Sequence, residues 1–139
     1  MARRALSHML ALAAMIGILC LCTLQADARE RLQITAPKDE SYVPQIISVR
    51  GTVSLRMGEV LVILARHAEF GWWHQGQTQM SGPFVFDSVH IGNPREARGT
   101  RFSIAAFIVT SEVAEQMRSY RSYTGVPASP QKTLTIYRQ

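Results

Sequence analysis

Ile46-Ile47-Ser48-Val49-Arg50-Gly51-Thr52-Val53 alternates apolar and polar side chains along its whole length. Ile47, Val49, Gly51 and Val53 fall on one face, and Ser48, Arg50 and Thr52 on the other. Side chains that repeat every second residue mark a half-buried antiparallel strand. Downstream, Val60-Leu61-Val62-Ile63-Leu64-Ala65, within 59–66, is apolar at every position. Its brevity and β-branched content predict a central strand covered on both faces. Residues 101–110 give the longest strand. Phe102, Ile104, Ala106 and Ile108 face one way, and Ala105, Phe107 and Val109 make its second half apolar on the other side too.

Shorter strands follow from the turn signals around these three. Leu32–Thr35 precedes a turn at Pro37-Lys38-Asp39, and Trp72–Gln75 lies between Gly71 and Gly76. Phe84–Ile91 starts after Ser81-Gly82-Pro83 and closes at Gly92-Asn93-Pro94. Its parity slips between Phe84/Phe86 and Val89/Ile91, so a β-bulge near Asp87-Ser88 is expected to keep both pairs inward. Thr133–Arg138 is the last strand, with Leu134 and Ile136 inward. One helix is expected over about 111–120, with Ser111 as N-cap and Glu112 and Glu115 in its first turns. Val113, Met117 and Tyr120 form its apolar stripe, with Ala114 beside them, and Gly125, Pro127 and Pro130 mark the loop that follows.

Seven short strands with one helix before the last predict an all-β fold, a two-sheet sandwich. The apolar outer faces at 60–65 and 105–109 need a cover. The helix folding back over them, a dimer interface and a partner surface each supply one. The helix is preferred because its stripe directly follows the strand concerned; monomer and homodimer both stay open.

The 139-residue chain opens with a different kind of segment. Arg3 and Arg4 precede an apolar run from Met9 to Leu24, and Ala26-Asp27-Ala28 places small residues at −3 and −1 of a cleavage site. This is the layout of a secretory signal peptide, residues 1–28, cut after Ala28, with a sandwich domain over 29–139. The run is about 16 residues, short of the ~20 that cross a bilayer, so a retained anchor is the weaker reading. Cys20 and Cys22 each follow a leucine, which disfavours lipidation, and the flanks of Arg3-Arg4 are poor for a twin-arginine signal. Removing 1–28 takes away both cysteines of the chain. The mature domain must then hold together by packing, without disulfides, thiol chemistry or a cysteine metal site.

The full chain carries 15 Lys+Arg against 10 Asp+Glu, a net charge of +5. Loss of Arg3, Arg4 and Asp27 leaves 13 against 9, or +4, spread without a run. That is mild basicity and no nucleic-acid footprint.

Val49-Arg50-Gly51-Thr52-Val53, Phe70-Gly71-Trp72-Trp73-His74-Gln75-Gly76, Val89-His90-Ile91-Gly92 and Gly99-Thr100-Arg101-Phe102-Ser103-Ile104 resemble successive landmarks of small bacterial secreted immunoglobulin-like or fibronectin-III-like domains. The resemblance covers most of 32–138. It implies an immunoglobulin-like sandwich in the periplasm or outside a Gram-negative cell, acting in recognition or as a spacer.

Residue chemistry adds little catalysis. His67, His74 and His90, with Glu69 or Asp87, are the available metal ligands, but none has helical i, i+4 or strand H-x-H spacing, so no metal and no cofactor is expected. Glu59, Glu69 and Asp87 are the acids for a paired-carboxylate mechanism, for which so small a domain offers little cleft. Ser103 has no nucleophile elbow, and no glycine-rich phosphate loop is present. A non-enzymatic role follows. The best binding residues are Phe70, Trp72, Trp73 and His74, with Arg66 and the glutamines Gln75, Gln77 and Gln79 adding polar contacts. Adjacent tryptophans on a strand point to opposite faces, so one can fill the core while the other offers a platform. The opposing reading packs both, one in the core and one under a loop. The expected function is an exported module for recognition or assembly in the envelope, toward a protein or glycan partner. Its alternatives are a carbohydrate- or peptidoglycan-binding module, or an inhibitor of a protease or lysozyme presenting loop Gly92–Gly99 or Tyr123–Pro130.

Overall fold

The computed structural model describes residues 31–67, 69–119 and 130–139. The expected signal peptide at 1–28, Tyr120 of the helix stripe and the loop at 121–129 lie outside the described residues. Among those described, no helix is long and apolar enough to cross a membrane.

Eight strands and one helix follow in the order β1 (Leu32–Ala36), β2 (Ser41–Val43), β3 (Ile46–Val53), β4 (Glu59–His67), β5 (Gly71–Thr78), β6 (Gly82–His90), β7 (Arg101–Thr110), α1 (Ser111–Ser119) and β8 (Lys132–Arg138). They form an all-β sandwich of a three-stranded sheet, β1-β3-β6, and a five-stranded sheet, β2-β8-β7-β4-β5. The eighth strand, β2, was not expected from the sequence. Three residues are too few to show a period, and β2 exists because it pairs in parallel with the distant β8. Asp39 Oδ1 accepts the Thr135 N–H at 2.7 Å and helps fix that pairing.

The alternation in 46–53 sets the inner face of β3, where Val49 is fully buried. The expected bulge is present: Ile47 pairs with Val89 but Val49 with Phe86, so Ser48 alone opposes Asp87 and Ser88. Phe84, Val89 and Ile91 are thereby all buried, with Phe86 packed against them. The main core joins these residues to Leu61, Ile63 and Ala65 of β4, Phe102, Ile104, Ala106 and Ile108 of β7, and Leu134 and Ile136 of β8. Arg31 grips Glu59 with its two terminal guanidinium nitrogens, at 2.6 and 3.3 Å, tying the entry of β1 in one sheet to the start of β4 in the other. That hydrogen bond holds the Glu59 carboxyl below the usual glutamate range, aided by the Arg56 N–H and opposed by burial.

A second cluster lies on the outer face of the five-stranded sheet. Val60, Val62 and Leu64 of β4 and Ala105, Phe107 and Val109 of β7 are buried together with Ala114 and Met117 of α1. The helix therefore covers the face whose apolarity needed explaining. Its cap differs from expectation. Thr110 Oγ1 accepts the Val113 N–H at 3.4 Å, while the Ser111 hydroxyl donates to the Gly58 carbonyl at 3.3 Å. Strand β7 runs into α1 without a loop, so the last strand residue takes the capping place.

Candidate functional site

Strand β5 ends the five-stranded sheet and β6 ends the three-stranded one, and the two lie against each other at one open side of the sandwich. A cleft of about 530 Å³ opens there. The chain around the β4–β5 turn contributes His67, Phe70, Trp73, His74 and Gln75 to its lining. Ser88 and His90 come from β6, and Gly92, Asn93 and Glu96 from the loop that follows.

Strand geometry decides which aromatic residue enters. Arg66 pairs with Trp72 and Ala65 with Trp73, so Trp72 takes the outer face and Trp73 the inner one. Trp72 is only 8% exposed and meets Phe107 edge-on, with ring centroids 6.4 Å apart. Arg66 covers its ring at 5.5 Å, a cation–π contact. Of the five residues expected at a binding surface, Phe70, Trp73 and His74 line the cleft, whereas Trp72 and Arg66 stack on the opposite face beside the helix. The buried tryptophan belongs to the cluster under α1 and not to the core between the sheets. Gln75 lines the cleft as well; Gln77 and Gln79 do not.

The pairing of His67 with Glu96 in the lining was not foreseen. His67 is buried between the Phe70 ring, 4.8 Å away, and the Phe102 ring, 5.1 Å away. Its Nδ1 accepts the Glu69 N–H at 3.0 Å, which places the proton of the neutral ring on Nε2. Nε2 faces Glu96 Oε2 at 3.6 Å, too far for a hydrogen bond but close enough for electrostatic attraction. Asn93 Nδ2 donates to Glu96 Oε1 at 3.1 Å, and Asn93 Oδ1 accepts the Arg95 N–H at 2.8 Å. Gly92 permits this approach. Its φ is +72°, and a Cβ there would stand 2.6 Å from Phe102 Cζ and 2.8 Å from Glu96 Cγ. The signal in the sequence was only a turn, Gly92-Asn93-Pro94; the pairing of Glu96 with His67 appears when the fold joins two distant segments.

Two further contacts involve residues of β5. Gln75 Oε1 accepts the His90 N–H at 2.8 Å and links β5 to β6. His74 Nε2 bonds Gln77 Oε1 at 3.2 Å. Burial holds the His74 imidazole below the ordinary histidine value; the Gln77 bond and Glu115 oppose this, and the Arg118 cation adds to it. Although three histidines line the cleft, no group of three or more His, Cys, Asp or Glu among the described residues is placed to hold a metal ion. The arrangement offers two aromatic surfaces beside hydrogen-bonding side chains, a composition typical of binding sites. No protein-family model matches the chain, and neither the curated proteins nor the solved structures contain a match to it.

Proposed function

We propose that this chain is an exported, non-enzymatic recognition module of the bacterial envelope, and that its ligand-facing surface is the cleft between β5 and β6. The observation that carries the reading is Trp73. Its neighbour Trp72 is buried under the helix, while Trp73 and the exposed Phe70 flank a cleft of about 530 Å³. An aromatic residue kept at a cleft is a strong anchor for a partner. Among the described residues Glu96 is the single carboxylate of the lining, and it turns inward to His67. Kinship with immunoglobulin-like domains is supported by the strand order. The series β1-β3-β6 opposite β8-β7-β4-β5 parallels A-B-E opposite G-F-C-C′. Export rests on the signal layout of residues 1–28.

Two measurements test the reading. Cell fractionation with mass spectrometry of the recovered chain should find it in the periplasm or medium, beginning at Arg29. Immobilised mature protein, wild type and Trp73→Ala, should then be exposed to periplasmic extract containing both protein and glycan. The wild type is expected to retain material that the variant releases. Equal retention by both would mean that the aromatic cleft is not the recognition surface.

A further inference from the structure

We infer that the cleft takes a neutral sugar ring, the pyranose unit of an oligosaccharide, with Trp73 and Phe70 as its apolar platform. The inference rests on the reading of the cleft as the recognition surface and narrows it to one ligand class.

Charge gives the first argument. Among the described residues no Lys or Arg lines the cleft, so a phosphate or an acidic glycan meets no lysine or arginine of theirs there. The lone carboxylate is equally withheld from a cationic ligand. Glu96 Oε1 accepts from Asn93, and Oε2 is sealed from solvent facing His67. A cleft whose described lining offers no lysine or arginine and no free carboxylate complements a neutral ligand.

Hydrogen-bonding capacity gives the second. The Trp73 indole N–H, the Ser88 hydroxyl, the His90 imidazole and the amide nitrogen of Gln75 have no hydrogen-bond partner among the described residues. The first and last only donate, whereas the hydroxyl both donates and accepts and the imidazole adds two ring nitrogens. A pyranose answers this set. It has a face of C–H groups for the aromatic rings and a rim of hydroxyls that each donate and accept. The volume of about 530 Å³ is within the range for a small-molecule site, roughly 300–1,000 Å³.

The sheet edges give the third, against an added peptide strand. The Gln75 side chain already occupies the His90 N–H, a donor that such a strand would need. On β5 the register passes from Ile63↔Gly76 to Leu64↔His74, so Gln75 is an extra residue that breaks the ladder. Both edges at the cleft are therefore blunted toward strand addition.

Titration calorimetry on the mature domain tests the inference with five probes: cellotriose, maltotriose, triacetylchitotriose, trigalacturonate and an extended peptide. At least one of the three neutral sugars is expected to bind saturably. Trp73→Ala should weaken it by about tenfold or more, as for a central aromatic anchor, and Trp72→Phe by less than about threefold. Circular dichroism melts confirm that both variants fold. Binding of a neutral sugar that ignores Trp73→Ala would overturn the inference. Trp73-dependent binding of the peptide or the acidic sugar alone would overturn the ligand class and leave the cleft reading standing. No Trp73-dependent binding of any probe would overturn both.

Discussion

Met117→Ala probes the cover over the second apolar face. Met117 is fully buried in a cluster with Val60, Val62 and Leu64 of β4 and Phe107 and Val109 of β7. Truncating a buried methionine to alanine costs roughly 2–5 kcal/mol, the transfer of the lost atoms plus the cavity left behind. A value near ~3 kcal/mol is expected, within that range, because the surrounding side chains can settle partly into the gap. The helix has nine residues, too few to persist in water without its tertiary contacts, so loosening the anchor loosens the whole element. For a domain near 100 residues, ~3 kcal/mol lowers Tm by roughly 10–20 °C. That is a large part of the ~5–15 kcal/mol holding such a domain together. Urea and thermal unfolding followed by circular dichroism give the number. Met117→Leu, which keeps the volume, should cost less than about 1.5 kcal/mol, and Gln116→Ala on the exposed face no more than about 0.5 kcal/mol. A Met117→Ala cost as small as that of Gln116→Ala would refute the assignment of α1 as the cover.

Three further perturbations reach other parts of the account. Gly51→Ala should cost about 3 kcal/mol or more in urea unfolding, since its Cβ would stand 2.0 Å from the Gln33 carbonyl oxygen and 2.7 Å from Phe84 Cζ; a loss under ~1 kcal/mol would contradict the packing of β1 on β3. Glu59→Gln should lower stability at pH 7 by ~1 kcal/mol or less, given the partial exposure of the Arg31 pair. The native Glu59 value is depressed, so its contribution is present above the ordinary glutamate value, about 4.3, and is lost as pH falls through the native value. Unfolding curves of wild type and variant should converge in acid, and a constant gap would count against the ion pair. His74 has the same direction of shift with the opposite charge logic. The unfolded chain takes up the proton first, so acidification below about 6.5 should destabilise the wild type more than His74→Gln, with the full difference reached below the native value. A pH-independent difference between the two would show that His74 is not held neutral by burial.

The parts legible in the sequence are those whose pattern is local. The period in 46–53 and the unbroken apolar run at 60–65 follow directly from residues adjacent in the chain. So does the bulge, since Phe84, Phe86, Val89 and Ile91 can share an inner face only if one residue is added. The parts that escaped depend on distant partners. Strand β2 is held by β8, and its three residues carry no period of their own. The opposite directions of Trp72 and Trp73 follow from strand geometry, but which one lines a cleft depends on the register of β5 on β4. His67 and Glu96 each look unremarkable in the sequence, and they meet because Gly92 lets the loop close over Phe102. The N-cap was misplaced by one residue because a strand running straight into a helix leaves no loop to mark the boundary.

The central claim is that the two tryptophans have separate work, Trp72 in packing and Trp73 in recognition. The chain contains only these two, so replacing both with 5-fluorotryptophan gives one fluorine signal for each. Assignment by Trp73→Phe and Trp72→Phe, followed by titration with the neutral trisaccharides, reads both sites in one experiment. The account predicts a saturable shift of the Trp73 signal while the Trp72 signal stays in place. A stationary Trp73 signal at saturating millimolar sugar, or a shift of Trp72 alone, would contradict it.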